Sequence, residues 1–186
     1  MPDNLAPHES AYRLFVPKQT CTADVIYFDI FNATGSGYDI HVSSVIPVVS
    51  GAVDTAIVLG PDLYLQRTSA IGTGGTAAGF NLSAITSASV TGMSYGAAQM
   101  PNGITARLTP SGGATAGALL GFVSCYIDDD GPGAYISPLY NLVTLGDDSA
   151  PSLVVTPATG IRVIQGTETI SEGTIGFNVA FGLKAR

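Results

Sequence analysis

The segment at residues 174–184 constrains the fold more than any other part of the sequence. Its even positions are small or polar, and its odd positions are large and apolar: Ile175, Phe177, Val179, Phe181 and Leu183. Side chains of a β-strand alternate between the two faces of a sheet, so this segment is predicted to be a strand with one apolar face. That face needs a second sheet to cover it, which the rest of the chain has to supply.

The remaining sequence is divided into short segments rich in β-branched and aromatic residues, at the spacing typical of a β-sandwich or barrel. No segment has the periodicity of an amphipathic helix. The expected fold is therefore all-β, an antiparallel β-sandwich of about ten short strands with a jelly-roll topology. Besides 174–184, strands are predicted at residues 11–16, 24–31, 38–42, 45–49, 53–59, 63–68, 103–108, 119–127, 153–156 and 161–165, with one or two more within 80–99 and within 135–145.

Two parts of the sequence carry more specific expectations. The Gly-rich turn at residues 32–37 lies between the strands at 24–31 and 38–42, and this arrangement predicts a β-hairpin. Residues 119–127 are largely apolar, which predicts a strand buried on both faces.

The prolines and glycines provide local signals. Pro17 is expected to stop the first strand, and Pro47 to mark an edge strand or a bulge. Residues 71–79 are predicted to be a flexible loop. A phosphate-binding role for this loop is disfavoured, because no helix pattern follows it and no basic residue is nearby.

Length and composition predict one domain with an extension. Residues 11–186 are expected to form a single β-sandwich, and the polar residues 1–10, with two prolines, an N-terminal arm. Charged residues make up only 11% of the chain, against about 25% in ordinary domains. A folded chain with so little charge is expected to pack against another protein, as a homo-oligomer or a docked subunit. The alternative is a monomer covered by Ser, Thr, Asn and Gly.

The charge balance argues against two classes of partner. The net charge is −7 and the seven basic residues are scattered, whereas nucleic-acid binding needs clustered Lys and Arg. No apolar run is long enough for a membrane helix. The first eight residues lack the pattern of a secretory signal, so we expect synthesis in a cytoplasm.

Few residues offer catalytic or metal-binding chemistry. Cys21 and Cys125 are predicted to be buried free thiols, although pairing stays possible if their strands are neighbours. Two distant Cys and two distant His do not have zinc-site spacing. A Ser-His-Asp triad would have to use His41, because His8 lies in the predicted arm, and no serine motif accompanies it.

The acidic turns are the remaining candidates. Asp128, Asp129 and Asp130 are consecutive, and oxygen ligands of this kind suit Ca²⁺. Their spacing is not that of a known calcium loop, so a solvated turn is the simpler interpretation, as it is for Asp147 and Asp148. We therefore predict no enzyme activity, no catalytic residues, no cofactor and no metal site.

Two segments resemble a known family. They are the stretch from Ile30 to Val42, where a strand ends in Asn before a small Gly/Ser turn, and the stretch from Pro157 to Val163 before the Gly-rich final strand. This pattern resembles the decoration, or cement, proteins of tailed-bacteriophage capsids. The resemblance implies a homotrimer on the capsid exterior that binds the major capsid protein and stabilises the shell, with the predicted arm as lattice contact.

The sequence is also compatible with two other functions. The first is a jelly-roll module that binds carbohydrate or a receptor on a phage fibre or cell surface, with Tyr95, Tyr126, Tyr135 and Tyr140 as aromatic candidates. The second is a carboxylate-based hydrolase that uses Asp128 or Asp130.

Overall fold

The structure is a computed structural model, and its described part consists entirely of strands, turns and loops. It contains eleven strands and no helix. The described residues are 11–50, 61–78, 92–95, 102–112, 116–125, 141–143, 152–167 and 173–186.

The strands form two antiparallel sheets. The five-stranded sheet has the order β6-β1-β11-β3-β9: Gly92–Tyr95, Ala11–Thr20, Thr174–Ala185, Tyr38–Ser50 and Leu153–Val155. The six-stranded sheet has the order β5-β7-β2-β10-β4-β8: Thr76–Ala77, Ile104–Leu108, Ile26–Asn32, Thr159–Gln165, Asp62–Thr68 and Ala116–Ser124.

The strand pairing confirms the prediction of a jelly roll. β1 pairs with β11, β2 with β10, β3 with β9 and β4 with β8, so four pairs are nested one inside the next. Successive pairs alternate between the two sheets. This is the pattern of a long hairpin rolled up into two facing sheets. Strands β5, β6 and β7 are inserted between β4 and β8 and extend the sheets beside β1 and β2.

The apolar face of β11 lies at the centre of the core, as its alternation predicts. All five odd-numbered apolar residues from Ile175 to Leu183 are buried. Phe177 contacts two rings of the other sheet, with its centroid 5.1 Å from that of Tyr27 and 5.6 Å from that of Phe28. A bulge in β2 turns Tyr27 inward beside Phe28, so both rings fill the space between the sheets.

The predicted hairpin at residues 24–42 is wrong. β2 belongs to the six-stranded sheet and β3 to the five-stranded sheet, so the Gly-rich turn between them crosses from one sheet to the other. The buried Asn32 holds this crossing, because its Nδ2 donates to the carbonyl oxygens of Tyr38 (2.9 Å) and Val155 (3.0 Å). Gly35 and Gly37 both have positive φ, which suits glycine.

The expectation that Pro17 ends the first strand is wrong. β1 continues past Pro17, because a bulge there sets two residues of β1, Pro17 and Lys18, against the single Gly176 of β11. Residues 45–49 belong to the long strand β3, which lies between β11 and β9. The strand β9 pairs with residues 40–42 at the beginning of β3, and the register places Pro47 opposite Phe177 of β11.

The predicted burial of residues 119–127 on both faces is wrong as well. β8 is the edge strand of the six-stranded sheet, and Leu119 and Phe122 are 54% and 57% exposed. An apolar run shows that a strand is apolar, but its neighbours decide how much of it is covered. The predicted loop at 71–79 contains the short strand β5. The predicted arm and the predicted strand at 53–59 lie outside the described residues.

Candidate functional site

A row of polar side chains crosses the outer face of the six-stranded sheet. In the register of the sheet, Asp29 of β2 lies between Arg107 of β7 and Arg162 of β10. Arg162 in turn lies next to Gln66 of β4. Residues next to them along the strands, such as Phe28, Leu65 and Val163, are buried in the core, so strand alternation directs these four side chains outward. Arg162 donates from Nε and Nη2 to Oε1 of Gln66, at 3.0 and 2.9 Å.

Asp29 is only 1% exposed although it lies on an outer face. The Gly-rich loop after β4 covers it, and the backbone N–H of Gly72 donates to Asp29 Oδ2. Arg107 holds the same loop, because its Nη1 donates to the carbonyl oxygen of Gly74 at 2.9 Å. The glycines therefore allow the backbone to approach a carboxylate of the same chain closely.

Burial raises the pKa of Asp29, since desolvation disfavours the charged carboxylate. The Gly72 N–H and the guanidinium groups of Arg107 and Arg162 oppose this shift without cancelling it. Asp29 Oδ1 has no hydrogen-bond partner within the described residues. The loop covers the Asp29 carboxyl group, which is therefore not accessible to a substrate. Its hydrogen bond with Gly72 instead holds the loop against the sheet.

A second polar group lies inside the sandwich, where the hydroxyl of Tyr27 donates to Oε1 of Gln165 at 2.7 Å. The backbone N–H of Thr22 donates to the same oxygen at 3.1 Å. Nearby, Cys21 and Cys125 are buried and free, which confirms the prediction of two buried thiols. Burial raises the pKa of Cys125 to about 12 and also raises that of Cys21. Only the thiolate is a good nucleophile, so both thiols are held in an unreactive form.

His41 has a serine neighbour that the sequence does not indicate. Its Nδ1 lies 3.4 Å from Oγ of Ser152, at the start of the segment leading into β9. The nearby Asp39 forms an ion pair with Nε of Arg186 at 2.9 Å. Among the described residues no carboxylate bonds to His41, so within this part of the chain the pair has no acid that would orient a catalytic histidine.

The predicted acidic turns and most of the aromatic candidates belong to segments outside the described part of the chain. Asp128 to Asp130, Asp147 and Asp148, and the tyrosines at 126, 135 and 140 all lie outside the described residues, as does His8. Tyr95 ends the short strand β6, and only its backbone is described. In the part of the chain that is described, no three His, Cys, Asp or Glu residues lie close enough together to hold a metal ion.

A surface feature that no sequence pattern indicates lies on β8. Leu119 and Phe122 project from the outer face of the six-stranded sheet, and the ring centroid of Phe122 is 6.4 Å from that of Tyr64. Ile164 lies next to Tyr64 in the register of the sheet. We call Tyr64, Leu119, Phe122 and Ile164 the β8 patch. No local signal reveals it, because a strand's position at a sheet edge is decided by distant partners.

Comparisons with known proteins identify no relative. No protein-family model, no curated protein and no solved structure matches this chain. Among the described residues, no helix has the length and apolar character needed to span a membrane.

Proposed function

We propose that this chain is a non-enzymatic structural protein of a phage virion, which binds the outer surface of the capsid as a homo-oligomer and stabilises it. The observation that carries the proposal is the nested pairing of β1 with β11, β2 with β10, β3 with β9 and β4 with β8. This jelly roll is a fold used by viral capsid proteins. It adds a tertiary argument to the resemblance of the two sequence segments.

The use of the buried polar groups supports a structural role. Asp29 holds a loop, Asn32 holds the crossing between the sheets, and Gln165 accepts bonds from Tyr27 and Thr22. An enzyme instead directs such groups toward a cleft where a substrate can reach them. Three of the four buried polar side chains among the described residues thus hold the framework together, which favours binding over catalysis.

The proposed mechanism is preferential binding to the mature shell. A ligand that binds one state of an assembly and not another stabilises the bound state by mass action. The predicted arm, residues 1–10, would extend the contact by pairing with a sheet edge of a neighbouring subunit. The net charge of −7 favours a position outside the shell, away from the packaged genome.

The test is binding to the capsid of the phage that encodes the chain. Purified full-length protein should cosediment saturably with expanded, undecorated capsids and raise their thermal disruption temperature. A variant that begins at residue 11 should bind at least tenfold more weakly if the arm is a lattice contact.

Absence of cosedimentation would contradict the capsid role. Saturable binding of the isolated protein to a glycan array, together with no capsid binding, would favour the carbohydrate-binding module instead. Turnover of a glycan that is abolished by Asp128→Asn or Asp130→Asn would favour the hydrolase.

A further inference from the structure

The turn that leads into β7 contains the only asparagine of the chain that is followed by a glycine. Asn102 and Gly103 form this turn, and Asn102 is exposed. Gly103 has a φ of 89°, in the region that favours glycine. Because glycine has no Cβ, the side chain of the residue before it has unobstructed access to its backbone nitrogen.

The N–H of Gly103 takes no part in the sheet. Its carbonyl oxygen accepts the N–H of Ala33 at 2.7 Å, which continues the pairing of β2 with β7 by one residue. A regular antiparallel pair would return a second bond, from the N–H of Gly103 to the carbonyl of Ala33. That carbonyl instead accepts the N–H of Ser36 at 3.2 Å, and Gly103 donates no backbone hydrogen bond within the described residues. Among these residues, no hydrogen bond has to be broken before this nitrogen reacts.

The other three asparagines of the described residues lack this combination. Asn32 is buried with its amide bonded to two carbonyl oxygens, and the next N–H, of Ala33, is bonded as well. Asn141 accepts two backbone N–H groups through Oδ1, and the N–H of Leu142 donates to β3 at 2.9 Å. Asn178 is exposed, but it lies within β11, which is paired on both sides, so the N–H after it belongs to the sheet.

We propose that Asn102 is a site of spontaneous deamidation, in which the backbone nitrogen of Gly103 attacks the side-chain amide. The nitrogen first loses its proton to hydroxide, because the protonated form is a poor nucleophile. A bond forms between this nitrogen and Cγ of Asn102, and the bond from Cγ to Nδ2 breaks. Nδ2 takes up a proton from water and leaves as ammonia. The product is a five-membered cyclic imide, and no oxidant, reductant or cofactor takes part.

Water then opens the imide at either of its two carbonyl carbons. Opening at Cγ leaves an aspartate at position 102, whereas opening at the main-chain carbon leaves an isoaspartate, whose backbone is longer by one carbon. Both products add one negative charge to the net charge of −7. The change lies against the crossing between β2 and β3, since a Cβ at Gly103 would be 3.2 Å from Cβ of Ser36. The reaction needs no partner, so it is independent of the capsid role.

The test is incubation of the folded, full-length protein at mildly alkaline pH, followed by peptide mapping with mass spectrometry. The peptide that contains Asn102 should gain the mass difference between an amide and a carboxyl group, and an isoaspartyl methyltransferase should label it. Its rate should lie within about tenfold of that of a free peptide of residues 99–106, because neither burial nor a hydrogen bond has to be released first. The other three asparagines should react at least about tenfold more slowly, since they require local opening.

The pH dependence provides a second readout that does not depend on any substitution. The rate at Asn102 should rise by up to about tenfold per pH unit in the alkaline range, because the deprotonated fraction of the attacking nitrogen rises in that proportion.

Asn102→Ser removes the amide and should abolish the labelling. Asn178→Ser, on the exposed side of β11, is the matched control and should leave the labelling unchanged. Thermal melting of each variant establishes that it is folded. An intact Asn102 in the folded protein, under conditions that deamidate the free peptide, would overturn the proposal. Equal rates at all four asparagines, or aspartate without isoaspartate, would also overturn it, since the first indicates unfolding and the second direct hydrolysis.

Discussion

At the scale of single residues, Asp29 shows how this chain uses a buried charge. The carboxylate lies between Arg107 and Arg162 in the register of the sheet, and its Oδ2 accepts the N–H of Gly72. Burial is the largest influence on its pKa and raises it above the ordinary value of 3.8. The folded protein therefore holds this proton more tightly than the unfolded chain does.

The pH dependence of stability should reveal this shift. The contribution of Asp29 to the free energy of unfolding should be largest below about pH 4, fall as the pH rises through the folded-state pKa, and then stay constant. Asp29→Asn removes this dependence. The difference in the free energy of unfolding between variant and wild type should therefore change by at most about 1.4 kcal/mol per pH unit. Denaturant unfolding between pH 3 and pH 7 measures it. Exposed Asp24→Asn is the control, and equal slopes for wild type and Asp29→Asn would contradict the prediction.

The close approach of the loop to Asp29 depends on Gly72. A Cβ at this position would collide with Asp29 Oδ2 and lie 2.7 Å from Cβ of Pro110. We expect Gly72→Ala to lower the free energy of unfolding by about 1–3 kcal/mol, because overpacking forces neighbouring atoms apart. Gly112→Ala is matched, since its nearest contact would be Thr73 Oγ1 at 3.9 Å. Thermal unfolding of the two variants measures the difference. Equal melting temperatures would show that the loop is not held in close contact with Asp29.

At the scale of elements, the connection between β2 and β3 decides the topology. The turn is rich in Gly and Ser, as hairpin turns are, yet it leads from one sheet to the other. Asn32 ends β2, and its buried side-chain amide donates two hydrogen bonds, to the carbonyl oxygens of Tyr38 and Val155. These two residues belong to two strands of the other sheet. The side chain thus ties both sheets together where the chain crosses.

Asn32→Asp tests this tie without changing the size of the side chain. The carboxylate has no N–H to donate and would face two carbonyl oxygens in the interior, so we expect a loss of more than about 2 kcal/mol in the free energy of unfolding. Asn178→Asp, on the exposed side of β11, should change stability by less than about 0.5 kcal/mol. Chemical denaturation of both variants provides the comparison, and similar losses would disprove the role of Asn32.

At the scale of the whole molecule, the two thiols report on opening of the sandwich. Cys21 and Cys125 are buried, and the burial that raises their pKa also excludes reagents. Labelling of the native protein by a thiol reagent should therefore follow unfolding, and the unfolded chain should titrate two thiols without prior reduction. Exposed Thr20→Cys should add one thiol that reacts at once. Rapid labelling of the wild type, or fewer than two thiols after unfolding, would contradict this prediction.

The candidate site was much less accessible to sequence reasoning than the fold. The contact between His41 and Ser152 joins residues 111 apart in the chain, and the clasp of Asp29 by Gly72 joins residues 43 apart. No local spacing encodes such contacts. Leu119 and Phe122 were predicted to be buried, whereas they are exposed. The prediction fails because an apolar segment has the same pattern whether or not a neighbouring strand covers it.

The sequence by itself determined most of the strands and the inward face of β11, since alternation of side chains is a local property of the extended backbone. It also determined the fold class, because about ten such segments without helical periodicity have few ways to bury their apolar faces. Only the tertiary structure decided which strands are neighbours, that the turn after β2 crosses between sheets, and that β8 lies at an edge. These depend on the simultaneous burial of faces that are far apart in the chain.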